Sequence, residues 1–515
     1  MSSRPLSNAT VLVVGAGIMG VGIAQVAAQA GHRVRLFDTR AGAALQAAAK
    51  LGATLDGLVA KGKLDADAAE ATLALIEPLA ALEEASGIGL VIEAIAEDLN
   101  AKRALFRQLE SLIAANCVLA TNTSSISVTA IANGMEHPGR LVGMHFFNPV
   151  PQMKLVEVVS GLHTDATVAS AIFDLSRAWG KTPVHARSTP GFIVNRIARP
   201  FYAETLALLL EQAATPQVLD ACMRAAGFRM GPCELMDLIG HDTNLAVTQS
   251  VYQANYFDKR YMPSLVQREM VDGGLLGRKS GRGFYHYQGD AMGAPPLPVA
   301  VHEAPTTAGE VTVHGVGDVA DYLDMAATRA LAPQGWGPAR VHDSGWTGLA
   351  IDGARLVLTD GRCAADMAAE MGSNEMAVFD RLLAVPSNGG TALAFATAAS
   401  ASPAWRAQAA AWLAALGFAP LRVADTPGLV VARTVAMLIN EAADAVQQGV
   451  CTPDAADAAM KLGVNYPAGP FEWLAVWSPV GVIGVLNALD GHYRGERYRA
   501  SPWLRRRRDR LAAPG

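Results

Sequence analysis

The sequence predicts a doubly wound α/β domain followed by an all-helical domain, with a worn copy of each behind them. Three observations predict it. A glycine-rich turn directly follows an apolar strand at residues 11–14; short apolar runs then alternate with longer helical patterns to about residue 187; and a motif beginning at Thr189 recurs from Thr426. Alternating strands and helices pack as a parallel sheet covered on both faces.

The first element is the strand at 11–14, and residues 34–37, 90–92 and 118–120 read as three more, each leading through a turn into a helical pattern. Residues 1–187 therefore form the first domain. From Pro190 strand signals fade, and helices are expected over 191–211, 215–226 and 237–256, giving a helical domain at 188–288. Residues 289–309 are rich in Pro, Ala and Gly without periodicity and read as a linker.

Beyond the linker the chain starts again. Thr189-Pro-Gly-Phe-Ile-Val-Asn-Arg lines up with Thr426-Pro-Gly-Leu-Val-Val-Ala-Arg, and the same offset relates Glu204 to Glu441, Thr215-Pro216 to Thr452-Pro453, and Asp220 to Asp457. Gly231-Pro-Cys-Glu matches Gly469-Pro-Phe-Glu one residue out of that register. Coincidences held over so long a stretch indicate duplication. Residues 423–515 are thus a second helical domain. Residues 310–422 read as a degenerate copy of the first sheet domain that has lost its cofactor, the alternative being an unrelated α/β domain. Val311-Thr-Val-His-Gly315-Val-Gly317 runs a strand into a glycine turn, but Ala320 stands where a third glycine belongs and no acidic partner follows.

At 515 residues the chain exceeds one core, and its half-apolar composition with 17% charged residues is that of a folded globular protein. The net charge of -5 gives no global attraction to nucleic acid, and the basic run of Arg505 to Arg508 with Arg510 reads as a solvated tail or an intersubunit contact. Five scattered cysteines with no C-x-x-C pair predict neither a disulfide framework nor a metal site. The start of the chain lacks the apolar core of a signal peptide, and no apolar run approaches about 18 residues. A cytoplasmic protein without membrane segments is expected.

Gly15-Ala-Gly17-Ile18-Met19-Gly20 sits between the first strand and a helix expected over 21–30. Gly15 permits the tight turn, Gly17 lets a diphosphate approach the backbone, Gly20 lets helix and strand pack, and the helix N-terminus supplies free N–H groups. Asp38, ending the next strand, can accept from ribose hydroxyls and would repel a 2'-phosphate, which favours NAD over NADP; Arg40 is the cation nearby. Asn122-Thr-Ser124-Ser125 follows the strand at 118–120, where α/β sheets place ligand groups, although those residues also suit a turn or helix cap.

His145 in Gly143-Met-His145-Phe-Phe-Asn148-Pro149 ends one apolar segment, and Glu157 in Leu155-Val-Glu157-Val-Val interrupts another. A glutamate in such surroundings needs a partner. Oxidising an alcohol with NAD needs a base for the hydroxyl proton, and a histidine oriented by a carboxylate supplies one. Asn195 stands one turn into the helical domain, whereas its counterpart in the repeat is Ala432, so the duplicated fold does not itself require the amide.

With these motifs, and with Gly277-Arg-Lys-Ser-Gly-Arg-Gly-Phe-Tyr285, the chain resembles the 3-hydroxyacyl-CoA dehydrogenase family over nearly its whole length. The resemblance implies a Rossmann-type NAD-binding domain, an acyl-CoA thioester substrate and a homodimer. It also implies that His145 is the base and Glu157 its partner, that Ser124 and Asn195 contact substrate, and that Glu97, Lys102, Ser124 and Asn148 contact the cofactor. Thr54 and Lys61 resemble the coenzyme A site. Members with a second helical domain include bacterial 3-hydroxyadipyl-CoA and 3-hydroxybutyryl-CoA dehydrogenases. A relative acting on a free hydroxy acid, or a silent NAD-binding protein, are the alternatives; the acyl chain is not legible.

Overall fold

In a computed structural model, residues 6–289, 291–293, 297, 304–383 and 390–512 are described, the last three by main chain only. The Arg510 side chain, the first five residues and much of the 289–309 segment lie outside them. Two units result: Met1–Arg196 with Gln448–Val464, and Ile197–Gln447 with Asn465–Gly515.

The first unit is built on eight strands: β1 (Thr10–Val14), β2 (Val34–Phe37), β3 (Ile76–Pro78), β4 (Ile88–Glu93), β5 (Val118–Thr121), β6 (Leu141–Phe146), β7 (Leu155–Ser160) and β8 (Thr182–Arg187). Their order is β3-β2-β1-β4-β5-β6-β7-β8, parallel except where β6 meets β7. Strands such as β1 and β6 are apolar along almost their whole length because helices cover both faces. The helix after the glycine turn runs Ile18–Gln29, three residues earlier than expected, which puts its N-terminus at Gly17.

The last element of this unit comes from the far end of the chain. Helix Pro453–Gly463 packs on β7 and β8. It sits so close that a Cβ on Gly463 would fall 2.7 Å from Leu155. The Arg187 N–H donates to the Val450 carbonyl at 2.9 Å, tying down the segment before it. Residues 423–515 are therefore not one body, as the sequence predicted; part of them belongs with the first sheet.

The second unit holds the hairpin β9 (His286–Gln288) and β10 (Ala291–Gly293), which enters the expected linker, and a seven-stranded sheet. That sheet comprises β11 (Val311–His314), β12 (Ala339–Val341), β13 (Gly348–Ile351), β14 (Ala354–Leu358), β15 (Met376–Phe379), β16 (Thr391–Thr397) and β17 (Phe418–Arg422), ordered β12-β11-β13-β14-β15-β16-β17. It is mixed: β13 runs antiparallel to both neighbours, as a hairpin replaces a helical crossover. Its carboxyl-side half, β14 to β17, repeats the parallel, antiparallel, parallel pattern of β5 to β8. Helix Pro216–Ala225 packs on β16, the counterpart of Pro453–Gly463 packing on β7. Each helical copy thus lends one helix to the other copy's sheet.

Two helices expected to be continuous are broken. The 191–211 stretch divides into Val194–Ile197 and Arg199–Leu210, and the 237–256 stretch into Pro232–Ile239 and His241–Ala254. Gly240 makes the second break with φ 95°, and Ser478 makes the same break in the repeat with φ 72°. That backbone region strains any side chain, so the bend is imposed by the fold and not by glycine.

The helical copies also pair reciprocally inside the second unit. Arg433, Arg497 and Tyr498 converge on buried Glu204, while Arg260 and Tyr261 converge on buried Glu441. Arg260-Tyr261 and Arg497-Tyr498 are themselves repeat partners, so residue i of one copy meets residue j of the other and vice versa. This is the geometry of a two-fold interface closed within one chain. Among the described residues no single helix is long and apolar enough to cross a membrane, though the bent pair Pro470–Trp477 and Pro479–Tyr493 passes that test together.

Candidate active site

The glycine turn opens the site. Gly15 has φ 109°, and a Cβ there would fall 2.4 Å from the Ala94 carbonyl oxygen; one on Gly20 would fall 1.7 Å from the Gly15 oxygen. Both glycines are steric necessities of the turn. Gly17, by contrast, faces nothing within 4 Å and caps the helix with its N–H groups unblocked, which fits a diphosphate. Asp38 accepts from the Ala16 N–H at 2.9 Å and is held by the Arg40 backbone and guanidinium. Burial opposes its charge, but these hydrogen bonds win and lower its pKa, leaving an ionised acceptor at the end of β2.

At the carboxyl ends of β4, β5 and β6 a cavity of about 340 Å³ is lined by Met19, Glu97, Lys102, Asn122, Ser124, His145, Asn148 and Asn195, with Ala94, Ile95, Phe146 and Phe147. Seven residues expected from the sequence thus meet in one place. The antiparallel register sets His145 directly opposite Glu157 across β6 and β7. The His145 Nδ1 lies 2.5 Å from a Glu157 carboxylate oxygen, and Glu157 is fully buried. An ionised carboxylate only accepts, so Nδ1 carries the hydrogen and Nε2 keeps a lone pair. The other Glu157 oxygen accepts from the backbone N–H groups of Ile193 and Val194, at 2.9 and 3.1 Å. The same carboxylate therefore orients the imidazole and pins the segment that carries Asn195.

Glu97 holds the Asn122-to-Ser125 loop. One of its oxygens accepts from the Thr123 hydroxyl at 2.6 Å and from the Ser124 and Ser125 N–H groups, both at 3.0 Å. Burial works against ionisation, but the Thr123 hydrogen bond and the Lys102 charge lower the pKa of Glu97. Lys102, 1% exposed, lies 2.6 Å from Glu93 and 3.3 Å from Glu97. Glu93 also accepts from the Thr121 hydroxyl at 2.6 Å. Glu93 escaped the sequence reading, although it bore the signal that exposed Glu157: a carboxylate ending an apolar strand.

A second cavity, of about 450 Å³, lies beside the glycine turn and is lined by Gly17, Ile18, Arg40, Lys50, Thr54 and Asn148 to Pro151 among others. Ile18 is 79% exposed there. Thr54 lines the cavity, donating to the Lys50 carbonyl at 2.9 Å. Lys61 caps the carboxyl end of helix Ala43–Ala60, is exposed, and is not among this cavity's lining residues. Eleven residues, about three turns, separate it from Lys50, which lines the cavity together with Arg40.

Comparisons with known proteins identify the family. Residues 10–189 match the 3-hydroxyacyl-CoA dehydrogenase NAD-binding domain, residues 191–287 and 428–511 its C-terminal domain, and residues 356–427 the 3-hydroxybutyryl-CoA dehydrogenase reduced Rossmann-fold domain. A 3-hydroxyadipyl-CoA dehydrogenase of Escherichia coli K12 is 43% identical over 97% of both chains. The human mitochondrial hydroxyacyl-coenzyme A dehydrogenase is 37% identical, covering 56% of this chain and 94% of its own. A crystal structure of a 3-hydroxybutyryl-CoA dehydrogenase from E. coli K12 superposes with a TM-score of 0.84 at 42% identity, covering 97% of this chain and 98% of that one. The chain belongs to the 3-hydroxyacyl-CoA dehydrogenase family of NAD-dependent oxidoreductases.

Proposed function

We propose that this enzyme oxidises the 3-hydroxyl of an (S)-3-hydroxyacyl-CoA to the 3-oxo thioester, with His145 as the base. The observation that carries this reading is the His145–Glu157 pair in register at the edge of a cavity shared with Ser124 and Asn195. NAD supplies the hydride acceptor, and Gly17, the N-terminus of helix Ile18–Gln29 and Asp38 would hold it. Nε2 of His145 takes the hydroxyl proton. Glu157, buried and already donated to by two backbone N–H groups, stabilises the imidazolium so formed. Ser124 and Asn195 hydrogen-bond the substrate oxygens, and Glu97 keeps Ser124 in place through its backbone.

The thioester reading rests on the cavity beside the glycine turn, where Lys50 and Arg40 offer positive charge to phosphate groups and Ile18 an apolar face. A free hydroxy acid carries no phosphate group of its own to place there. Breakdown of fatty or aromatic acids in the cytoplasm is the setting such a substrate fits. Turnover over Michaelis constant, measured for 3-hydroxyadipyl-CoA, 3-hydroxybutyryl-CoA and the matching free acids, tests the proposal. Thioesters are expected to exceed free acids by at least ~100-fold; parity would defeat the coenzyme A assignment.

A further inference from the structure

The second sheet carries a cluster that the dehydrogenase chemistry does not use. Cys363 begins helix Ala364–Met371 after β14, Asp366 lies in that helix's first turn, and His492 lies near the end of helix Pro479–Tyr493. Their ligand atoms all lie within 4.8 Å of one another, and Cys363 Sγ is 4.0 Å from His492 Nδ1. A thiolate and an imidazole bound to one tetrahedral zinc, at about 2.3 and 2.0 Å, would stand about 3.5 Å apart, so the pair is within a small side-chain adjustment of that geometry.

The surroundings suit a cation. Asp425, held by the Ala364 and Ala365 N–H groups at 2.6 and 2.8 Å, adds a second carboxylate beside the thiol. A divalent ion binds a cysteine as its thiolate, and these carboxylates add to the negative charge around it. The set mixes one soft sulfur, one imidazole and one carboxylate, the donors that zinc and cobalt accept together.

We propose that Cys363, Asp366 and His492 form a zinc-class metal site, with the fourth position open to water and the ion tying the β14 loop to the C-terminal helices. On binding, the Cys363 proton passes to solvent, and sulfur, Nδ1 and a carboxylate oxygen each form one bond to the metal. The sequence could not show this, since 129 residues separate the cysteine from the histidine.

Cobalt(II) added to the chelator-treated full chain should give a thiolate-to-metal charge-transfer band that saturates at one ion per chain, and zinc should displace it and raise the unfolding temperature. Asp366→Asn and His492→Ala, at exposed positions, should each weaken zinc binding by at least ~10-fold while the apo chain unfolds as before. Cys363→Ser should abolish the band. Absence of the band at stoichiometric cobalt, or zinc affinity unchanged in His492→Ala, overturns the site.

Discussion

At the end of β6 the first sheet carries His145 opposite Glu157; at the matching place the second sheet carries Asp380 opposite Ala394, whose carbonyl accepts the Asp380 N–H at 2.9 Å. Both pairs stand behind the same repeated Thr-Pro-Gly motif. Glu157 accepts from the N–H groups of Ile193 and Val194, and Asp380 accepts from those of the equivalent Val430 and Val431, and from Ala432. What both copies retain is an anion at the start of a helix, where unsatisfied N–H groups and the helix dipole demand one. What only the first retains is the imidazole. Glu157 therefore does two jobs, and the second copy shows the structural one in isolation.

The two glycine turns differ in the same sense. The helix after Gly17 has no acidic residue in its first turn, whereas the helix after Gly317 opens with Asp318 and Asp321. Negative charge there repels a diphosphate. The second sheet has kept the glycine turn and the carboxyl-side strand pattern of the first, with acids where the first has none.

The sharpest way to test this contrast is to remove each copy's distinctive side chain. His145→Gln should lower turnover by about 10³-fold with NAD affinity nearly unchanged, because a positioned base contributes on that scale. Asp380→Asn should leave turnover near normal. Near-normal turnover in the His145 variant would sink the division of labour.

A smaller effect separates the copies by pH. Burial pushes Asp380 up to about 6, against the pull of its backbone N–H donors. A carboxyl raised on folding favours the native state below its unfolded value near 4, and that contribution is lost as pH rises through about 6. The stability difference between the parent and Asp380→Asn should fall between pH 4 and 6 and then level off, as read from denaturant midpoints. A flat difference would mean that Asp380 is ionised throughout.

The smallest expected effect concerns the matched bends. Gly240→Ala should cost about 1–2 kcal/mol, the strain of a left-handed residue, whereas Ser478→Gly should gain up to about 1 kcal/mol less whatever its cap to the Gly481 N–H contributes. No shift in unfolding temperature for Gly240→Ala would mean that the bend carries no backbone strain.

Much of this was legible in the chain. Gly15, Gly20 and Asp38 are fixed by local sterics and charge, and local rules find them. His145 and Glu157 were legible because each breaks an apolar run, a signal of burial that needs no partner in view. Asp380 was not, because the anion has crossed from one strand to its neighbour and the repeat offset points to Ala394 instead. Lys61 lies off the cavity beside the glycine turn for a related reason: a motif position places a residue along a helix but not around the rim of a cavity. The break at Gly240 departs from the expected 237–256 helix because an apolar pattern can run unbroken through a bend that tertiary packing imposes.

The reciprocal contacts at Glu204 and Glu441 bear on more than stability. Two subunits held by such contacts separate on dilution, but two copies joined in one polypeptide meet at an effective concentration fixed by the tether. Assembly of the helical pair then costs nothing extra at low protein concentration. Each half is also encoded separately, so a substitution in one is not mirrored in the other, and the second sheet can carry Asp380 where the first carries His145.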